Sequence, residues 1–391
     1  MYAFAVHGWG FRVIVQAFLR WVETAKAGDR ARAASALGRA FLRSQMPDEE
    51  RRAARIAMTY LLDDPSPRVR LALCEALADS AEAPRPIMVA LAQDQVEVAC
   101  HVILKSPVLG DSDLVDLAGR GAAHTRALIA ARPRVSRVVA AALAEVSDSP
   151  EILTLLENDG ADISPMTLKR MAERHGDCDG IRRLLLERGA LPAAARQLLV
   201  NRVTEALIGA GLVQAAVGRR RMERVAREAG VSATLSIADN VTLEELPPLI
   251  EHLRLTGRLT PAFLIHALCS GKADFFAVAI VTLSGLDDRR ARALLATGRH
   301  HAVRALLEAC GLGRDVSEVF VEAIMLWRRA MQAGEPDHAG IAQQLVARIR
   351  ASGPLSPVAG ELVDMVEQLQ LAQERQHARA YASEFALAAA E

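Results

Sequence analysis

Histidine and cysteine have the widest chemical reach of the side chains, so their spacing is the first test of function. His266 and Cys269 stand three apart in PAFLIHALCSG, on one face of a helix, where two metal ligands could sit. No third ligand lies nearby in sequence, and both also suit a half-buried helix surface. His300 and His301 are adjacent in TGRHHAVRALL, and neighbours on a helix point about 100° apart, a poor arrangement for one coordination face. His101, beside Cys100, reads as a repeat-surface or core residue. Cys74, Cys100, Cys178, Cys269 and Cys310 are scattered and never form CxxC, so reduced, buried thiols are expected. The expectation is no metal and no other cofactor.

Activated nucleophiles are equally hard to find. The chain has no GxSxG elbow, no HExxH and no phosphate-loop lysine followed by serine or threonine. The acidic pairs Asp63/Asp64 and Asp287/Asp288 each precede a helical run, which reads as capping rather than acid–base work. SPVLGDSDL offers Ser106 or Asp113 as a polar contact on a concave wall, although Pro107 as a stop and Asp111 or Ser112 as a start explain it equally well. The densest basic group is Arg219, Arg220, Arg221, Arg224 and Arg227. On a helix, Arg220, Arg224 and Arg227 share a face that could meet a phosphate or an acidic partner, with Glu223 and Glu228 partly neutralising it. An enzyme is not expected.

The elements that must carry these residues are helices. Of 391 residues, 51% are hydrophobic but only 4% aromatic, the composition of closely packed helices rich in alanine, leucine and arginine. LLDDPSPRVRLALCEALADS, from Leu61, joins an aspartate–proline turn to an apolar helical stripe, the pattern of a HEAT repeat. Related units follow, with Leu77, Leu104, Ala130, Leu156 and Leu186 in equivalent places and Pro86, Pro107, Pro133, Pro165 and Pro192 marking turns. A period of about 26 to 30 residues is shorter than the ~40 of HEAT units, so compact hairpins must stack to cover their apolar faces.

The predicted fold is all-α: a HEAT-like α-solenoid of short helical hairpins followed by a second helical-repeat-like block. Its divisions are N-terminal capping helices over 1–47, the repeat domain over 48–210, a polar helix and linker over 211–241, and a C-terminal helical domain over 242–391. VSATLSIADNVT is the linker candidate. In the last domain Thr260 and Asp274 are predicted caps, Gly271 a stop, and Phe275 and Phe276 a core plug. Val358, Leu362, Val366 and Leu369 predict a terminal helix packing back on that domain.

Lysine plus arginine equals aspartate plus glutamate at 47 each, which disfavours nucleic acid as the partner. The apolar N-terminal run is broken by Arg12 and Arg20 and lacks a basic n-region, so neither signal peptide nor membrane span is expected, and a cytoplasmic location follows.

DDPSPRVRLALCEALAD, SPVLGDSDL, LLENDGADIS and GRLTPAFLIHALCSGKADFF together resemble a bacterial family of HEAT-like repeat proteins catalogued as a domain of unknown function. The resemblance spans most of Leu61 to Gly311. It implies a two-part helical-repeat fold in a soluble bacterial protein and brings no catalytic residues. The expected function is a non-enzymatic scaffold or adaptor binding another protein on a concave solenoid face. Alternatives are a HEAT-like nucleic-acid-binding or DNA-repair protein, which lacks its aromatic groove because Trp9, Trp21 and Trp327 lie outside the repeats, and a protein similar to the repeat-built bilin lyases.

Overall fold

The computed structural model describes residues 16–43, 46–211, 218–333, 339–351 and 353–388. The described residues are helices and connecting turns, with no strand and one isolated parallel bridge, between Val135 and Ala161. The chain divides into two compact units, 1–191 and 192–391.

Unit 1 holds α1 (Ala27–Arg43), α2 (Asp48–Leu61), α3 (Pro67–Leu77), α4 (Arg85–Ala92), α5 (Val96–Lys105), α6 (Asp111–Arg120), α7 (Ala123–Ala130), α8 (Arg137–Val146), α9 (Ser149–Glu157), α10 (Pro165–His175) and α11 (Asp179–Glu187). Each odd-numbered helix packs on the next odd one, from α1 through α11, and α6, α8 and α10 do the same in a second row. This two-row stacking is a helical solenoid. Helices of eight to eleven residues are marginal alone, so their stability must come from the shared apolar seam. Leu73, Leu77, Val102, Ile103, Ile129, Leu155 and Leu185 are buried along it.

The predicted repeat positions fall on the odd row, and one-residue slips occur at two of them. Leu77, Ala130 and Leu156 are buried, whereas Leu104 is half-buried and Leu186 exposed; Ile103 and Leu185 take their places. A slip of one residue turns a helical side chain by about 100°, out of the seam.

Prolines start α3, α4, α9 and α10 from within their first turns, and Ser136 caps α8 by accepting from the Val139 amide at 3.3 Å. Asp64 is not the helix cap its position suggested. It is 5% exposed and grips Arg30 of α1 through both oxygens, at 2.7 and 3.0 Å, while accepting from the Ser66 amide at 2.9 Å. Arg70 repeats the device on Asp94. Burial pushes the Asp64 carboxyl upward, but the hydrogen bonds from Arg30 and Ser66 leave it below the usual carboxylate range.

Unit 2 holds α12 (Ala193–Gly209), α13 (Arg219–Asp239), α14 (Leu246–Leu255), α15 (Pro261–Cys269), α16 (Ala273–Ser284), α17 (Asp288–Thr297), α18 (His300–Ala309), α19 (Arg314–Ala333), α20 (Ala339–Ala351) and α21 (Pro357–Ala388). The row α12–α14–α16–α18 keeps the alternate-helix packing, and α19, α20 and α21 then gather around α15. Phe275 and Phe276 are indeed the core: Phe275 meets Phe263 edge-on at 5.6 Å, and Phe276 stacks on Phe320 at 5.9 Å. Thr260 caps α15 through the Phe263 amide, Gly271 follows it at φ +80°, and Asp287 caps α17.

Three sequence expectations are corrected here. The linker segment from Val231 to Asp239 completes α13, a single 21-residue helix, because its alternating small residues still give it a buried face with Thr234 and Leu235. Asp274 is not the cap of α16; it lies within the first turn and pairs with Arg292 at 3.5 Å. The terminal helix does pack back through Ala359, Leu362, Val363 and Val366, but Val358 is exposed at its start.

Candidate binding surfaces

On α3, α5, α7 and α9, two consecutive residues lie opposite the buried stripe and are nevertheless half-buried, because the neighbouring helices of the row flank them. The pairs are Leu71/Ala72 on α3, Cys100/His101 on α5, Ala127/Leu128 on α7 and Leu153/Thr154 on α9; on α11 the exposed Arg183 takes the first of these positions. At 100° per residue all of these lie on the side away from the seam. The four pairs, a strip along the row, are themselves uncharged, and the exposed Arg68 and Glu75 of α3, Glu97 of α5 and Glu157 of α9 share that side with them. Leu71 and Ala72 also form one wall of a groove whose other wall is Gly28, Ala31 and Ser35 of α1, with Arg32, Arg68 and Glu75 along it.

The even row is tied by charge as well, as Arg30–Asp64 and Arg70–Asp94 tie the odd row. Its charges answer one another between helices: Arg85 on α4 pairs with Asp113 on α6, Arg170 on α10 with Glu145 on α8 at 2.8 Å, and Arg137 on α8 with Asp162 at 2.8 Å. Such surface pairs add little stability, but they leave few charges free.

Side chains at helix ends hold the odd row in register. Arg132, beyond α7, donates to the carbonyls of Ile103 and Ser106 at the end of α5. Asn158, beyond α9, donates to Ala130 and Arg132 at the end of α7, both at 2.7 Å, and Arg188, beyond α11, donates to Leu156 of α9 at 2.7 Å. Each helix thus satisfies the otherwise unpaired last carbonyls of the helix before it. Ser106 is fully buried in this arrangement, so it cannot offer a contact on a binding wall; its hydroxyl accepts from the Val108 amide instead. Asp113 accepts from the Gly110 amide at 3.1 Å as well as from Arg85, as expected of a residue starting α6.

The arginine cluster lies at the start of α13. Arg220 and Arg224 are exposed, and among the described residues neither has a partner; the side chain of Arg227 lies outside the described residues. Arg219 pairs with Glu223 at 3.1 Å. No acidic residue occupies the first turn, where the helix dipole favours one, so three successive arginines there are electrostatically unfavourable.

Cys74 and Cys269 are buried as expected of the thiols, whereas Cys100, Cys178 and Cys310 are half-buried and His124 and His301 exposed. Burial lowers His266 to about 4 and raises the thiols of Cys74 and Cys269 to about 12 and Cys310 to about 11. Cys74 donates to the carbonyl of Val98 at 3.2 Å. His300 meets Glu318 at 3.2 Å, and Arg304 meets the same carboxylate at 2.8 Å. Among the described residues no group of three His, Cys, Asp or Glu side chains is placed to hold a metal, and no helix is long and apolar enough to cross a membrane.

The strip and the helix-end ties escaped the sequence reading. Their signal was available in the repeat register: once Leu73, Val102, Leu155 and Leu185 are aligned, the paired half-buried positions and Arg132, Asn158 and Arg188 fall into columns.

No curated protein and no solved structure gives a significant match to the chain. Residues 98–357 match the family described as "Uncharacterised protein conserved in bacteria (DUF2336)". The matched stretch includes SPVLGDSDL, LLENDGADIS and GRLTPAFLIHALCSGKADFF, whereas DDPSPRVRLALCEALAD precedes it. It takes in residues of both units and 260 of the 391 residues, so the chain belongs to this bacterial family.

Proposed function

We propose that the protein is a non-catalytic scaffold that binds another protein along the strip of half-buried pairs on the odd row. The observation that carries this reading is the recurrence of the half-buried pairs from α3 to α9. Leu71/Ala72, Cys100/His101, Ala127/Leu128 and Leu153/Thr154 recur at one register with no full charge among them, and Arg68, Glu75, Glu97 and Glu157 stand exposed beside them. A strip of this kind, repeated from helix to helix, suits an elongated partner segment that gains a small apolar contact at each step. The exposed Arg220 and Arg224 support a second, acidic contact on unit 2, since their guanidinium forks match carboxylates. A cytoplasmic location agrees with this role.

The test uses quantitative crosslinking and co-purification from bacterial cells with the full chain and two variants. Ala72→Arg with Thr154→Arg places two charges in the strip, and Arg220→Glu with Arg224→Glu reverses the basic face. A partner recovered with the wild type and lost with the strip variant, at unchanged melting temperature, supports the reading. Recovery that is indifferent to both variants overturns it.

A further inference from the structure

The turn from α8 into α9 and the end of α10 form a small polar junction, part buried and part open to solvent. Ser147, fully buried, Asp148, Ser149 and Glu151 come from the first two helices, and Arg174 and His175 from the third. His175 Nδ1 lies 3.4 Å from Ser149 Oγ. His175 Nε2 and Ser147 Oγ are both sealed from solvent without a hydrogen-bond partner. Beside the imidazole, Arg174 donates to the carbonyl of Ala144 at the end of α8. One guanidinium and one imidazole therefore tie the end of α10 to the turn it packs against.

We propose that this junction is an acid-released latch, in which protonation of His175 frees the end of α10 from α8 and α9. A neutral imidazole suits the site when Nδ1 carries the hydrogen, donating to Ser149 Oγ and leaving only a bare lone pair at Nε2. Taking up a proton adds an N–H at Nε2 that has no acceptor, and places a charge where water is excluded.

The surrounding charges do not compensate for this. Arg174, on the same helix, repels the imidazolium. Asp148 and Glu151 at the start of α9 attract it, but Glu151 Oε2 already accepts from the Asp148 amide at 3.0 Å. Glu145 on α8 is taken by Arg170, and Asp179 on α11 by Arg182. Burial first, then Arg174, holds His175 below the usual imidazole range. The folded junction thus binds the proton less well than the open one. Its stability is present above the ordinary imidazole pKa of about 6.5 and is lost as the pH falls below it. The imidazolium regains solvent by swinging outward, which takes the end of α10 with it.

Amide hydrogen exchange of the full chain at pH 7.5 and 5.5, corrected for intrinsic rates, tests this with the wild type and His175→Gln. The expected result is exchange about five-fold faster at pH 5.5 across residues 165–187 of the wild type, with protection in the variant independent of pH. Unchanged protection of that stretch in the wild type overturns the proposal. So does an equal loss in the variant, or a loss spread evenly over the chain. Should His175→Gln not fold, the wild type decides the matter by whether acid release is confined to residues 165–187.

Discussion

Arg132 donates from Nη2 to the carbonyl of Ser106 at 2.9 Å and from Nη1 to that of Ile103, joining the end of α7 to the end of α5 although the arginine is only 9% exposed. Burial lowers its pKa, with the carboxylate of Asp111 acting the other way. The guanidinium thus spends its charge on backbone dipoles. Replacing it by methionine keeps the apolar stem and strands two carbonyls. A loss of about 2 to 4 kcal/mol is expected in urea unfolding. Arg132→Lys should recover little, because an ammonium cannot span both acceptors.

Gly160 shows how closely the turn after α9 approaches its neighbour. A Cβ built there would lie 2.0 Å from the Pro133 carbonyl oxygen. The same turn carries the Val135–Ala161 bridge, with Val135 donating to Gly160 O at 3.1 Å and Asp162 donating to Val135 O at 2.9 Å. Gly160→Ala should lower stability by about 2 kcal/mol or more. Gly119→Ala, near the end of α6 with open space around it, should instead raise stability by up to about 1 kcal/mol. Paired thermal melts compare the two.

The Arg30–Asp64 pair predicts a strongly non-additive cycle. Asp64→Asn leaves the Arg30 guanidinium, 14% exposed, without its carboxylate and should cost about 3 kcal/mol. Arg30→Met should cost a similar amount by stranding Asp64. The double variant should lose much less than the sum, as measured by denaturant unfolding of all four proteins.

His266 gives unit 2 its own dependence on pH. Its folded value of about 4 lies below the ordinary imidazole value, so the unfolded chain binds the proton first. The stability it contributes is complete above about pH 6.5 and falls away as the pH drops toward 4, by up to about 3 kcal/mol. His266→Gln should flatten that part of the stability profile. Equal slopes in wild type and variant between pH 6.5 and 4 would contradict the assignment.

Periodicity along the chain determined that the fold is helical and repetitive, and much of the punctuation: Pro165 at the start of α10, Thr260 as a cap, Gly271 as a stop, and Phe275 and Phe276 in the core. Those features depend on contacts within one or two helical turns, which a linear pattern carries directly. The choice between cap and ion pair at Asp64, the burial of Ser106, and the continuation of α13 through Val231–Asp239 required the tertiary structure. A carboxylate, a hydroxyl or a run of small residues has several local solutions, and the partner that selects one of them comes from a different helix. Arg30 lies 34 residues from Asp64, and Arg132 lies 26 from Ser106. The same holds for the proposed strip: Leu71, Leu128 and Leu153 are ordinary leucines in sequence, and stacking alone puts them on one side of the row.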